Sequence, residues 1–293
     1  MNQLEKKTVK STGLFAHDRL DSLLVLVAVI QFVVLIFGIV SFGIVPWWVT
    51  LLVGAKSVFL VCTNFQCIAH NFLHNQFFRS KRLNLLFSLF NSTLIGGSQT
   101  LYRFHHLHHH RHNNDLPDPN TGKAKDFTST WQHGVPPIRE ENFLTYSLFG
   151  YFRTDFRFLY ATAKQKQVSQ QVVWEFATFA AMMVALLLVN PLGVVCFYSS
   201  VWLLGNIASA AENYLEHYGA TPGNRRTDSV SSYGWLYNVI WFNNGFHQEH
   251  HFKPQIHWTR IREVKDALPP ENERRVVRGA HWFNFGPRQP LNN

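Results

Sequence analysis

Apolar positions are concentrated in four stretches of the chain and scattered elsewhere. Ser22 to Val45 runs for 24 residues without a charge, enough at about 1.5 Å per residue to cross a hydrocarbon layer of about 30 Å. Pro46, Trp47 and Trp48 then form an uncharged aromatic turn of the kind found at a membrane interface. Val49 to Ile68 is apolar again except for Lys56, Asn64 and Gln66. A second pair follows: Val172 to Val189, charged only at Glu175, and Leu192 to Ala211, separated by Asn190-Pro191, which breaks a helix. The pattern predicts an all-α fold with four transmembrane helices in two hairpins, at about 22–45, 49–68, 172–189 and 192–211. The first run is longer than the apolar core of about 7 to 15 residues in a signal peptide, so it is expected to stay as an anchor. Lys56, well inside its span, is expected to snorkel outward.

Charge sets the orientation. The links at Pro46 and Pro191 carry no Lys or Arg, whereas the start of the chain, the stretch from Arg79 to Lys166 and the tail carry nearly all of them. The positive-inside rule places both termini and the long middle in the cytosol. Phe143 to Tyr160 and Tyr233 to Phe246 are too interrupted to span but dense in aromatics, and are expected to lie at the interface. With no repeat or separable linker, residues 1–293 read as one integral membrane domain, with a cytosolic middle (79–166) and tail (218–293) that form a helical cap.

Composition agrees: 46% apolar and 15% charged residues, against about 25% charged in ordinary soluble domains. The mean hydropathy of −0.07 reflects dilution of the spans by polar segments. A net charge of +9 suits an anionic headgroup surface or an acidic partner, and no nucleic-acid-binding motif is present. Cys62, Cys67 and Cys196 make no CxxC pair and sit in apolar runs, which points to buried thiols rather than disulfides or a cysteine metal site. Histidine stands out, at 16 of 293 residues, and directs attention to metal or proton chemistry.

The histidines are spaced as ligands. His70 and His74, at the end of the second span, share a helix face at a spacing of four. His106, His109 and His110 fall at i, i+3 and i+4 within RFHHLHHHRHNND, and His247, His250 and His251 repeat that geometry in GFHQEHHFKP. Asn213 and His217, after the fourth span, are again four apart. Neutral imidazole suits iron, copper, zinc and nickel, and zinc takes about four ligands. Nine candidate histidines from four segments exceed one tetrahedral ion and match two ions of higher coordination, so a dinuclear iron centre is expected. Asp115, Glu216 and Glu249, beside the boxes, are candidates to hold the outer N–H of a liganding ring. His105, His108 and His112 are expected beside the ligands, and His17, His133, His257 and His281 to be structural or solvent-facing.

From about His70 to Pro254 the sequence resembles the membrane fatty acid desaturase and hydroxylase superfamily, through HNFLH (70–74), HLHHH (106–110) and HQEHHFKP (247–254). The resemblance implies that His70, His74, His106, His109, His110, His247, His250 and His251 ligate two non-haem iron ions, with His217 as a further imidazole and Asn213 beside the centre. The second box also fits HxxHH as His105, His108 and His109. The later register is chosen because it leaves Arg111 and the NND run trailing, as is usual in the family. The implied reaction is O2-dependent oxidation of a long aliphatic or lipid chain, foremost fatty acyl desaturation. Hydroxylation and oxidative decarboxylation to a terminal alkene remain open at the same centre. The sequence contains no CxxCH, no ferredoxin cysteine pattern and no GxGxxG in a βαβ unit, so electrons are expected from a separate ferredoxin or cytochrome with its reductase. A membrane electron carrier would place axial histidines inside spans, and a metal transporter would line a midplane path with them. The histidines here stand at the span ends.

Overall fold

In the computed structural model, residues 13–131 and 139–286 are described; His133 and the remainder of both termini lie outside them. Four helices are long and apolar enough to cross a membrane: Asp21–Ser41, Trp47–His74, Ser169–Val189 and Gly193–His217. Each hairpin is closed by a proline-containing turn, as the pattern predicts. The first span is helix α1. The second is α2 (Trp47–Thr63), a π turn at Asn64–Ala69, and α3 (His70–His74). After α4 (Lys81–Ile95), α5 (Gln99–His112), α6 (Phe143–Phe149) and α7 (Phe156–Gln165), the third span is α8 (Ser169–Val189). The fourth is a π turn at Gly193–Tyr198 continuing as α9 (Ser199–His217). Short helices α10 (Trp235–Ile240) and α11 (His247–Phe252) follow. The only sheet among the described residues is a two-residue parallel pairing of β1 (Ser231–Ser232) with β2 (Val276–Val277), so the fold is helical throughout its body.

The second and fourth spans run longer than hydropathy alone predicts, because their last turns are polar residues that remain helical and buried. His70 and His217 lie on the spanning helices themselves. Outward faces are apolar: Leu26, Val33, Leu51, Leu188 and Val195 are all exposed, as lipid-facing side chains should be. Trp47 and Trp48 project from the first turn, and Lys56 is exposed on α2. Cys62 and Cys67 are buried, but Cys196, contrary to expectation, faces outward.

Close helix approach depends on small residues, the usual means of association where the hydrophobic effect is weak. A Cβ on Gly205 would lie 2.5 Å from Val61 Cγ1, and one on Gly193 2.0 Å from the Ile39 carbonyl oxygen. Asn190, in the second hairpin turn, donates to the carbonyls of Ile39 (3.1 Å) and Phe42 (2.9 Å) at the first. The two turns therefore share one end of the bundle, opposite the histidines.

Two helices that the hydropathy pattern did not announce, α4 and α5, form a hairpin packed against α8. Ser80 and Ser98 cap them, accepting from Leu83 N and Leu101 N. Gly96 ends α4 at φ 69°, and a side chain there would strike Trp202. Inside the bundle, Asn64 Nδ2 donates to Gln31 Oε1 (2.6 Å) and Asn91 Oδ1 (2.8 Å), and Asn91 Nδ2 donates to Gln99 Oε1 (2.8 Å). These four amides join α1, the second span, α4 and α5 through fully paired polar groups, which a buried network must be to avoid a net cost.

Exposed apolar side chains crowd α6, α7 and the turn between them (Leu144, Leu148, Phe152, Phe156) and α10 (Trp235, Leu236, Val239, Ile240). Of the second aromatic segment, only Trp235–Ile240 forms an α-helix before α11 begins.

Candidate metal centre

Four elements deliver the nine candidate histidines to one place. The π turn in the second span holds one residue more than an α-helical turn of that rise, so it resets the azimuth of everything beyond it, and α3 then presents His70 and His74. Helix α5 presents His106, His109 and His110, the end of α9 presents His217, and α11 presents the last three.

They form two groups. His70, His74, His106, His110 and His250 bring ring nitrogens within 4.8 Å of one another, and His109, His217 and His251 do the same. His247 joins the second, its Nε2 lying 3.2 Å from His217 Nε2. The groups touch, with the rings of His110 and His251 centred 4.3 Å apart.

Tautomers follow from the outer partners. His70 Nδ1 lies 2.9 Å from the Gln66 carbonyl, which can only accept, so the proton is on Nδ1 and Nε2 offers a lone pair. That Nε2 is 2.7 Å from His250 Nε2, which is 3.0 Å from His110 Nε2, itself 2.9 Å from His106 Nε2. The buried Nε2 of His74 has no partner. One proton cannot satisfy five converging nitrogens, whereas a shared cation can. Burial, and then the neighbouring imidazoles, holds His106, His110, His247, His250 and His251 well below the usual histidine range. The rings are therefore neutral donors, and an imidazole-only set fits a transition metal such as iron.

Outer-shell support departs from expectation. His109 Nδ1 faces Asp126 Oδ2 at 2.9 Å, with Thr128 Oγ1 at the same distance. Burial acts to raise the Asp126 carboxyl, but His109 and the amides of Asn114 and Thr128 outweigh it and hold it below the carboxylate range. Sequence reasoning missed Asp126, which lies in a loop 17 residues beyond His109 with no periodicity to link them. Glu216 Oε1 does approach His247 Nδ1, at 3.6 Å. Asp115 instead accepts from the amides of Lys125 and Asp126, and Glu249 accepts from Ser231 and Tyr233, so neither supports a ligand.

Asn213 donates to Tyr146 Oη at 2.7 Å and lines the cavity described below. Of the alternative second-box residues, His105 stacks on Phe127, and His108 contacts the Lys125 carbonyl at the surface. Neither joins a histidine group. His281 and His257 are buried rather than solvent-facing. His281 sits between Tyr237 and Val230 O, within 3.8 Å of Glu212 and Glu216, and His257 pairs with Asp21 at 3.0 Å.

A cavity of about 210 Å³ reaches the histidines at His70, His106, His109 and His247, and continues between Leu101, Tyr151, Phe156 and Phe176. A separate pocket of about 20 Å³ touches His70, His74 and His250. The centre thus borders a largely apolar cavity on one side and a small pocket on another.

The fatty acid desaturase family model matches residues 42–281. Over 82 residues the chain is 34% identical to a sphingolipid delta(4)-desaturase of Schizosaccharomyces pombe, a stretch covering 25% of this chain and 23% of that protein. Over 226 residues it is 28% identical to the sphingolipid delta(4)-desaturase of Candida albicans, covering 67% of this chain and 56% of the relative. The matches therefore span from about a quarter to about half the length of these relatives.

Proposed function

As the chain belongs to the fatty acid desaturase family, we propose that it is an O2-dependent di-iron oxidoreductase that desaturates a long aliphatic or lipid chain, its metal centre in a helical cap on the cytosolic side of the membrane. The observation that carries this reading is the convergence of nine histidines into two adjoining groups at the inner end of a largely apolar cavity.

His70, His74, His106, His110 and His250 would hold one ion, and His109, His217, His247 and His251 the other. A bound iron pair supplies what no side chain can, the reduction of O2 to an oxidant able to take hydrogen from an unactivated C–H bond. Overall, two hydrogens leave the substrate, two electrons and two protons arrive from outside, and O2 becomes two waters. The protein's part is to place and enclose. Asp126 keeps the His109 proton on Nδ1 and so directs Nε2 inward, and Glu216 is set to do the same for His247. The cavity wall holds the chain against the ring edges and excludes water. Asn213 and Tyr146, bonded to each other beside the inner end, present polar atoms there.

The electrons come from a separate ferredoxin or cytochrome with its reductase. The small pocket at His74 and His250 is lined by Asn243, to which Arg262 donates at 3.3 Å, and an acidic carrier would dock there. Sphingolipids are the first substrates to test, since both named relatives act on them. The test is anaerobic and aerobic turnover of a lipid mixture with an external reductant, read by mass spectrometry. Desaturation gives a product lighter by about two mass units and requires O2 and iron together. A product heavier by one oxygen would show hydroxylation, and undiminished turnover without O2 or after chelation would overturn the proposal.

A further inference from the structure

The third span holds no histidine, yet it carries a carboxylate, Glu175, that has no exposure at all. A charge in a spanning helix is costly unless donors surround it, and five do. Ser88 Oγ (2.6 Å), Thr100 Oγ1 (2.8 Å) and Gln171 Nε2 (3.0 Å) donate to Oε1; the Thr100 amide (3.0 Å) and Ser98 Oγ donate to Oε2. Three of the five belong to the start of α5. The remaining first-turn amides there are also occupied, Gln99 N by Ser92 Oγ and Leu101 N by Ser98 Oγ. A carboxylate at a helix N-terminus is favoured by the dipole as well as by the hydrogen bonds, so the grip is strong and directional.

Helix α5, like α11, feeds both histidine groups, His106 and His110 entering one and His109 the other. His106 lies six residues beyond Thr100, about 9 Å along the axis. Turning α5 by about 10° would move a ring nitrogen roughly 6 Å from its axis by about 1 Å, whereas a metal–ligand distance tolerates about 0.2 Å.

We propose that Glu175 is a positioning residue for the metal centre: by gripping the first turn of α5 it fixes that helix's rotation and height, so that one helix serves two ions. The inference rests on the reading of the histidines as metal ligands. Ser88 supplies the control, because it donates to the same carboxylate from α4 and not from α5.

The experiment compares the full-length wild type in detergent with Glu175→Gln, Thr100→Val and Ser88→Ala. It titrates each metal-free protein with Co(II), reads the visible spectrum, and records thermal melts alongside. Glu175→Gln and Thr100→Val are expected to bind cobalt about tenfold more weakly, as changes outside the ligand sphere do, and with shifted bands. Ser88→Ala is expected to lower the melting temperature while binding cobalt as the wild type does. Equal effects on cobalt in all three variants, or none in any, would overturn the proposal and leave Glu175 a stabilising contact only. If Glu175→Gln does not fold, Thr100→Val, which loses one hydroxyl, decides. A wild type that binds no cobalt would overturn the metal reading and this inference with it. Unaltered binding by Thr100→Val beside a wild type that does bind would overturn this inference alone.

Discussion

His109 is held at both ring nitrogens, by Asp126 at Nδ1 and by the approach of His251 at Nε2, 3.3 Å away. His108, one position earlier, points to the surface and makes its contact with a backbone carbonyl. This difference between adjacent residues gives a direct test of the box register. Wild-type protein should carry about two irons per chain, since nine imidazoles exceed the coordination of one ion. His109→Ala and His250→Ala should each lose iron and all turnover, whereas His108→Ala should keep both; iron analysis of the purified variants checks this. His217 and Asn213 separate by the same logic. His217 is fully buried with its ring against His109, His247 and His251, so His217→Ala should behave as a box variant. Asn213 donates to Tyr146 Oη and belongs to neither histidine group, so Asn213→Ala should retain iron and lose about 10- to 100-fold in activity. Equal and negligible effects of both would remove the pair from the site.

Among the elements, the spanning helices were legible because twenty apolar residues in a row have few other uses. The hairpin α4–α5 was not. Its buried face mixes Asn84, Ser88, Asn91 and Ser92 with Phe87 and Leu94, so no hydrophobic stripe marks it; Ser88 and Asn91 find their partners far away in sequence, at Glu175 and Asn64. The π turns were equally silent, because one extra residue in a helical turn leaves no compositional trace. Among the described glycines, the one at which an added Cβ would meet another atom most closely is Gly193, 2.0 Å from the Ile39 carbonyl oxygen, a backbone atom that cannot swing aside. Gly193→Ala should cost about 1–3 kcal/mol through overpacking. A lower melting temperature in detergent with unchanged iron per folded chain is the expected result, because the strain falls at the end of the bundle away from the histidines.

For the whole molecule, the two hairpin turns lie together through Asn190, and the histidine groups stand at the opposite end of the spans. If the positive-inside rule governs this chain, cysteine tags placed at the Pro46 and Pro191 turns should react with an impermeant reagent from outside the cell, and a tag at Gly122 only after permeabilisation. Labelling of Gly122 from outside would reverse the orientation and place the metal centre on the other face. The electron carrier would then have to work there too.

The sequence by itself determined that the chain is helical and has four segments long and apolar enough to cross a membrane, because hydropathy acts locally and needs no partner. It determined which histidines could share a face, because spacing of three and four is a property of one helix. The choice of partners was tertiary. His74 meets His250, and His109 meets Asp126, only when loops and helices distant in sequence close on each other, and no periodicity spans those gaps. The division of the second and third boxes between two groups, the enclosure of His281 and His257, and the attachment of Glu175 to the histidine helix were decided in the same way. Each depends on where a buried polar atom finds its partner, and that is fixed by packing across the bundle rather than by the residues on either side of it.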